Sequence, residues 1–586
     1  MIQTKNVHLQ FATYFNNEEA LPYLYLLSKK LSEGSICVKL DQVDWDKLKE
    51  EENQLVKFKI VRPDDLKKNE LVAEEQMDKP VVLSDKRLYF QRYFKYETGV
   101  INRIQTMISN ENQAQTMTKL KDLTGLVQKL FNENPTPKTD WQAVAAISAV
   151  LNNFTIITGG PGTGKTTTIA KILSLLFELN PEMKVALTAP TGKAAARMAE
   201  SLKITAETFP ELKIDTSKLK PSTIHRLLGW QKGSIYFKHH AANPLPYDLL
   251  IVDESSMLDV ALFSKFLEAV RPDAKLILLG DKNQLSAVEA GSLFGDLCLA
   301  MPELNKFSNE KSDFINLFLK DEKSKITAEN RSENNHPLFE HIVELQHSFR
   351  FSDAGGIGKF SKAVIRNEKD KIEDFFENTD NQVYLDTSYS NEKFEEYASL
   401  FEAYINEEDI ETALIELNKV RILCAVKEGE EGMYAMNKKV EKYLQEKGAI
   451  KVENEFYENR PLMVSSNNYE LGLFNGDTGI VRNDKVWFID SENNLKSVLP
   501  ASLDEIETVF AMTVHKSQGS EFTNVLTVLP KNTEIPLLTA ELLYTAVTRA
   551  KEKVCVQGSR EVILGSAAKR VERSSGVIER FKKIKI

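Results

Sequence analysis

Short, nearly continuous apolar runs at 154–158, 184–189, 248–253 and 275–279 punctuate the first half of the chain, each followed by a longer stretch of helical periodicity. Apolar runs of that length predict strands buried on both faces. Their exchange with helices, clearest at 164–179 and 192–202, predicts a parallel sheet covered on two sides. A second alternating region opens near Glu344. Short strands and turn signals such as Asn475-Gly476-Asp477 interrupt it at about 430–505, and it resumes at Thr508 to run to about Gln557. Before the first sheet the pattern is different. Closely spaced apolar positions at 21–31 and helix-period positions across 101–131 predict a mostly helical region, and NENPTPKTD (132–140) marks a linker ending in a helix cap. The polar, broken segment 301–336 predicts a surface insertion or mobile connection.

The expected class is α/β. It comprises a helical N-terminal domain (1–125), a first α/β domain (126–343), a second in two parts (344–429 and 506–586, the latter with a basic tail), and a β-rich insertion (430–505). At 586 residues the chain has room for three or four domains. With 42% hydrophobic and 27% charged residues, it is neither a disordered nor a fibrous protein. A net charge of -10 means that nucleic acid, if bound, is held by a local surface. The imbalance is itself local: residues 371–430 carry 16 acids against 5 bases, the rest of the chain 69 against 70, and 569–586 carry 7 bases against 2 acids. Cys37, Cys298, Cys424 and Cys555 are scattered without CxxC spacing, which fits a reducing compartment and no disulfide framework. A signal-peptide pattern and an apolar run of 18 are both missing, so a cytoplasmic protein with no membrane partner is expected.

The chemistry concentrates at GGPGTGKTT, residues 159–167. Gly159, Gly160, Pro161, Gly162, Thr163, Gly164, Lys165 and Thr166 fill the P-loop pattern G-x-x-x-x-G-K-[ST] between an apolar strand and a helix, with Thr167 following. Glycines let backbone N–H groups wrap a phosphate, and the helix N-terminus adds positive potential. Lys165 is placed to reach the β- and γ-phosphates of ATP, and the Thr166 hydroxyl to ligate Mg²⁺. Asp253 and Glu254 close the apolar run 249–252. Asp253 is expected to hold Mg²⁺, and Glu254 to orient and help deprotonate the attacking water. Paired acids also occur as plain strand ends, and only the P-loop lifts them above that. No N-K-x-D guanine motif occurs, so a GTPase is disfavoured.

Further motifs follow in order: TAPTGKAAAR (188–197), TIHRLLG (223–229), GDKNQL (280–285), QHSFR (346–350), TVHKSQGSEF (513–522) and YTAVTRA (544–550). This series resembles the superfamily-one DNA helicases. The resemblance is closer still to the RecD family, the alpha subunits of exodeoxyribonuclease V. It rests on GGPGTGKTTT (159–168), GLFNGD (472–477), 514–522, and N-terminally on LSKKLSEGSIC (27–37) and RLYFQRY (87–93) with Glu97.

The resemblance implies two RecA-like motor domains, an SH3-like insertion and an N-terminal domain that docks a partner. Gln142 is implied as the adenine reader, Gln284 as the link between γ-phosphate and DNA, and Arg350 and Arg549 as the arginines reaching the γ-phosphate from the second domain. Thr191, Thr223, His225, Ser517, Gln518 and Glu521 are implied along the DNA strand, although Thr191 serves equally well as a helix cap. His225 and His515 are not read as general bases, because Glu254 already fills that role.

Asp44-Trp-Asp46-Lys47 has the flavour of a metal nuclease but sits in a charged surface segment; by resemblance, nuclease action belongs to the assembled complex. The expected function is an ATP-dependent 5′–3′ DNA helicase with RecB-like and RecC-like subunits in double-strand break repair, engaging a 5′-ended single strand at duplex ends. A stand-alone helicase and a regulatory ATP switch are the alternatives.

Overall fold

The computed structural model describes residues 6–51, 60–131, 138–209, 212, 214–216, 219–231, 233–286, 289–351, 355–378, 380–468, 470–490 and 494–584. Most of the predicted linker, 132–137, lies outside them. The first sheet has six parallel strands in the order Ile342–Leu345, Phe154–Gly159, Lys275–Gly280, Leu249–Val252, Val185–Ala189, Ser222–Thr223. Its strands alternate side chains between two cores. Ile157, Ile277, Leu279, Leu249 and Ile251 enter one, with the helices Trp141–Leu151 and Lys165–Leu179. Ile156, Leu276, Leu278, Leu250 and Val252 enter the other, with Val260–Ala269 and Gln91–Ser109. Both faces are therefore apolar, which is why these segments read as continuous runs rather than alternating ones. Each buried aliphatic side chain contributes roughly 1.5–3 kcal/mol.

The second sheet has five parallel strands, Val383–Asp386, Ala550–Gln557, Phe522–Val528, Val420–Cys424 and Ala511–Thr513. Between Val420–Cys424 and Ala511–Thr513 the chain makes a five-stranded antiparallel sheet, Leu495–Val498, Lys485–Ile489, Thr478–Arg482, Pro461–Val464 and Ile506–Thr508. Its central hairpin turns at Asn483 and Asp484, with φ of 52° and 57°, the two-residue turn whose twist matches the flanking strands. No helix of the described residues is long and apolar enough to cross a membrane.

Several features depart from the sequence-based reading. Helices dominate the N-terminal region, among them Val7–Tyr14 and Leu21–Ser32. It also carries a four-stranded sheet of Cys37–Lys39, Arg87–Phe90, Val81–Ser84 and Val72–Glu74, strands too short for a periodic signal. The helices Gln113–Asp122 and Thr124–Phe131 place Leu120, Val127, Leu130 and Phe131 in the first sheet's core, so a boundary at 125 divides one packed unit. A boundary at 343 cuts the strand Ile342–Leu345, and Ile506–Thr508 carries the antiparallel sheet past 505.

The segment 301–336 is no loose insertion: Phe307, Phe314, Ile315, Phe318, Leu319 and Ile326 are buried in the first sheet's core. Few apolar residues suffice when each is an aromatic or long aliphatic inserted at one face. The tail leaves the second domain altogether, and its helix Val577–Lys583 buries Val577 and Phe581 against Gln91–Ser109 and Leu293–Ala300. Phe318→Ala is expected to cost about 3–5 kcal/mol, read as a lowered urea midpoint; a surface insertion would show almost no change.

Candidate functional site

The loop between the strand Phe154–Gly159 and the helix Lys165–Leu179 faces the second sheet across a cleft. Gly162 and Gly164 lie at φ +74° and +81°, and their neighbours leave no room for a side chain: a Cβ would stand 2.3 Å from the Arg350 Cβ at Gly162 and 2.2 Å from the Gln142 Nε2 at Gly164. Thr163 Oγ1 donates to Gly160 O at 2.8 Å, and Gln142 Nε2 donates to Thr163 O at 3.1 Å. Gln142 is itself set by Asp140, whose carboxylate caps the helix Trp141–Leu151 through the amides of Gln142 and Ala143. Lys165 Nζ lies across the loop mouth, donating to Gly159 O at 2.7 Å and Gly160 O at 3.2 Å.

Asp253 and Glu254 follow the strand Leu249–Val252. Burial first, and then the adjoining Glu254 carboxylate, push the Asp253 carboxyl up to about 6, against the pull of Lys165 and Arg197. Glu254 takes φ of 50°, uncommon for a residue with a Cβ, and its amide donates to Asp253 Oδ1 at 2.8 Å. A cavity of about 830 Å³ is lined by Gln142, the P-loop residues Pro161–Thr167, Asp253, Glu254, Gln284, Arg350 and Arg549. Gly159 and Gly160 lie behind this lining, Gly159 packed on Leu345 and Gly160 facing the Tyr544 hydroxyl. Gln284 Oε1 and Arg350 Nη1 are buried there without a hydrogen-bond partner among the described residues. Arg549 is buried; burial lowers its affinity for a proton, and its Nη1 donates to Ser520 O at 3.1 Å. Backbone donors, a lysine, two arginines and unspent polar atoms around a roomy cleft form a receptor for a polyphosphate.

The six residues implied for DNA do not converge on one surface. Thr191 Oγ1 accepts from the Ala194 amide at 3.2 Å and Thr223 Oγ1 from the Arg226 amide at 3.3 Å, so both are helix caps. His225 is exposed, its ring edge against Phe237. Ser517 is fully buried and donates to Val514 O at 2.7 Å. Gln518 Nε2 donates to Leu285 O at 2.6 Å, spanning from the second sheet's domain to the first. Glu521 sits in the nucleotide cleft, accepts from Arg350 Nη2 at 2.6 Å and forms an ion pair with Arg197, whose Nη2 lies 3.2 Å away.

Sequence reasoning named the motifs holding Arg197 and Tyr544 but not those residues. Arg197 reaches from the first domain to the second. Tyr544 donates to Asp281 Oδ2 at 2.8 Å, while Thr545 Oγ1 accepts the Leu285 amide at 3.0 Å. The loop that carries Gln284 is thus held from both sides of the cleft. Phe349, 63% exposed, stands at the loop mouth, where a Cβ on Gly164 would meet its ring at 3.7 Å. The motif spacing carries no sign of which residues of 188–197 and 544–550 cross the cleft.

A P-loop on one parallel sheet, answered by arginines from a second, defines a nucleotide-driven motor of the superfamily-one helicase class. Family models match on the same segments: an AAA domain over 142–290, a UvrD-like helicase C-terminal domain over 508–556, and the N-terminal domain of RecBCD enzyme subunit RecD over 5–89. The RecBCD enzyme subunit RecD of Haemophilus influenzae is 32% identical over 534 residues, covering 85% of this chain and 80% of that protein. That of Mycobacterium tuberculosis is 34% identical over 521 residues, covering 85% and 81%. The ATP-dependent RecD2 DNA helicase of Deinococcus radiodurans is 28% identical over 439 residues, covering 74% of this chain and 50% of that protein. The chain belongs to the RecD family of ATP-dependent DNA helicases.

Gly162→Ala combines the close approach to Arg350 with a left-handed backbone. It is expected to weaken ATP binding at least about tenfold, near 1.4 kcal/mol, measured by calorimetry on protein of near-parental melting temperature. Glu521 gives a second expectation. Burial opposes its ionisation, but Arg197, Arg350 and Lys551 prevail and bring the carboxyl from 4.5 down to about 2. A depressed value stabilises the fold above the unfolded pKa, and that contribution fades as pH falls from about 4.5 towards 2. The amount is about 3 kcal/mol. Glu521→Gln is expected to lower stability at pH 7 and to flatten its decline over that window in urea titrations at fixed pH.

Proposed function

We propose that this chain is a 5′–3′ DNA translocase working as the alpha subunit of a RecBCD-type helicase-nuclease, in the cytoplasm, in double-strand break repair and recombination. The relatives' names support the assembly with RecB-like and RecC-like subunits, with residues 1–125 as the docking domain. The observation that carries the motor reading is the single cavity in which Lys165 and Glu254 of one domain face Arg350 and Arg549 of the other. Lys165 binds the β- and γ-phosphates of ATP, and Gln142 orients the base. Glu254, held in its unusual backbone conformation beside Asp253, aligns the attacking water and takes its proton. Arg350 and Arg549 close on the γ-phosphate, drawing the second domain inward.

Thr166 and Asp253 supply oxygen ligands on the same cavity, and the proton affinity of Asp253 marks a carboxylate that a divalent cation would stabilise. These two residues would hold Mg²⁺, whose charge would offset that of the phosphates. Closure reaches the strand through the Gln284 loop, which Tyr544, Thr545 and Gln518 grip from the second domain. On the first domain the strand's path is proposed to run along the turns at Thr191 and Thr223, whose hydroxyls cap their own helices, and past the exposed His225. Ser517, Gln518 and Glu521 act on the second by shaping the loop they anchor. The domain assignment is read as 126–343 for the first motor, 344–429 with 506–570 for the second, and 430–505 for an SH3-like insertion, with edges adjusted to the strands described above and the tail from 571 assigned to the first body, on which its helix packs.

ATP hydrolysis by the purified chain is expected to rise at least roughly tenfold with single-stranded DNA and to vanish in Lys165→Gln. Duplexes with a 5′ tail are expected to be unwound and those with a 3′ tail left intact. Equal hydrolysis with and without DNA would sink the motor reading.

A further inference from the structure

The tail left out of this mechanism joins three parts of the molecule. Its start is fixed to the second domain: Val571 N donates to Glu541 Oε2 at 3.2 Å and Arg570 Nη1 to Glu541 Oε1 at 3.2 Å. Glu541 belongs to Ala540–Thr548, the helix that delivers Arg549. Three residues on, the same chain is fixed to the other body. Ser574 N donates to Ser35 Oγ at 3.1 Å, Ser574 O accepts the Ile36 amide at 3.0 Å, and Arg573 Nη1 donates to Glu289 O at 3.3 Å.

Beyond that point lies Glu97, with no exposed surface. Its carboxylate takes the Gly576 amide at 2.7 Å, Arg580 Nη1 at 3.0 Å and the Tyr89 hydroxyl at 3.2 Å, and Arg580 Nη2 donates to Thr98 Oγ1 at 2.8 Å. Glu579 pairs with Arg87, and Lys583 with Asp85 at 3.0 Å.

We propose that residues 571–576 are a tether that fixes the axis on which the second motor domain swings, with Glu97 and Arg580 as the positioning pair that holds its far end. This rests on the motor reading above and adds to it how the stroke is guided. Three extended residues reach at most about 10 Å, so the tether has little slack between Glu541 and Ser35. The chain crosses between the same bodies a second time after Ile342–Leu345, where Ser348 and Phe349 still bond to Pro161 and Gly162 of the first domain and Phe351 already lies in the core of the second. Two bodies joined at two short crossings keep chiefly the rotation about the line between them, and sliding or splaying is suppressed. A defined rotation brings Arg549 to the same place at each closure. It also gives the N-terminal docking region, which holds Ser35, Ile36, Arg87 and Glu97, a direct mechanical link to the arginine helix.

The test lengthens the tether without breaking its anchors. A Gly/Ser insertion of about eight residues between Glu572 and Arg573 adds roughly 15 Å of reach. In the full chain, base pairs unwound per ATP are expected to fall at least roughly threefold, with DNA-stimulated hydrolysis kept within about twofold. Dyes at Thr118→Cys and Lys442→Cys, both exposed positions on the two bodies, are expected to show a broader distribution of separations. An unchanged distribution with unchanged unwinding per ATP overturns the tether. So does a parallel loss of hydrolysis and unwinding, which would make the tail a structural brace. A parent chain without DNA-stimulated hydrolysis defeats the motor reading alone, and the dye distribution then still decides the tether.

Discussion

Parallel pairing is the constraint from which the rest of this molecule follows. When all strands of a sheet run the same way, their carboxyl ends share one edge, and every strand-to-helix loop at that edge meets its neighbours. In the first sheet these are the P-loop, the turn at Thr191, the Asp253-Glu254 pair and the loop from Asp281 to Leu285. No single loop could build a phosphate site with its acid and its sensor. The price of this order is a sheet buried on both faces, which is why Ile156 and Ile157, adjacent in sequence, anchor two different cores.

The cleft is held by charge as well as shape. Arg549 is out of water before any phosphate arrives, held by the Thr545 and Ser520 carbonyls of its own domain, while the partly exposed Arg350 is steadied through one of its donors by Glu521. One carboxylate shared between Arg197 and Arg350 places opposite domains in contact without committing either arginine through all of its donors. Arg350 Nη1 and Gln284 Oε1 remain unspent. Buried polar atoms in that condition cost stability, and they do so at the place where a ligand would repay it.

Much of this was legible from residue order. Long apolar runs announce strands buried on both sides, and a P-loop is recognisable because backbone geometry dictates its glycines. The failures share a cause: their signals lie in contacts remote in sequence. Val577 and Phe581 are two apolar positions in a basic tail, too few to reveal a docking helix. Phe314 and Phe318 sit among polar residues, some solvent-facing like Asp313 and Lys320 and some buried like Lys311 and Ser312, so the local pattern does not show a core. Three- and four-residue strands near Cys37 and Val81 are shorter than any period can register. For Thr191 and Thr223 the motif places the side chains, but whether a hydroxyl faces a strand or its own helix is decided by one rotamer. Glu97 stood out as a residue, yet nothing near it named a partner 483 positions away.

That last distance has a consequence for how the protein is made. The ribosome releases Glu97 long before Gly576 and Arg580 exist, so the pocket around it must wait, open or incompletely dried, through most of translation. Burial raises the carboxyl's proton affinity, and Arg580 is the chief counterweight. Sealing the pocket without that counterweight would cost several kcal/mol. A product ended before Gly576 and Arg580 therefore keeps a wet, unsealed face around Glu97 where the folded chain has a closed one.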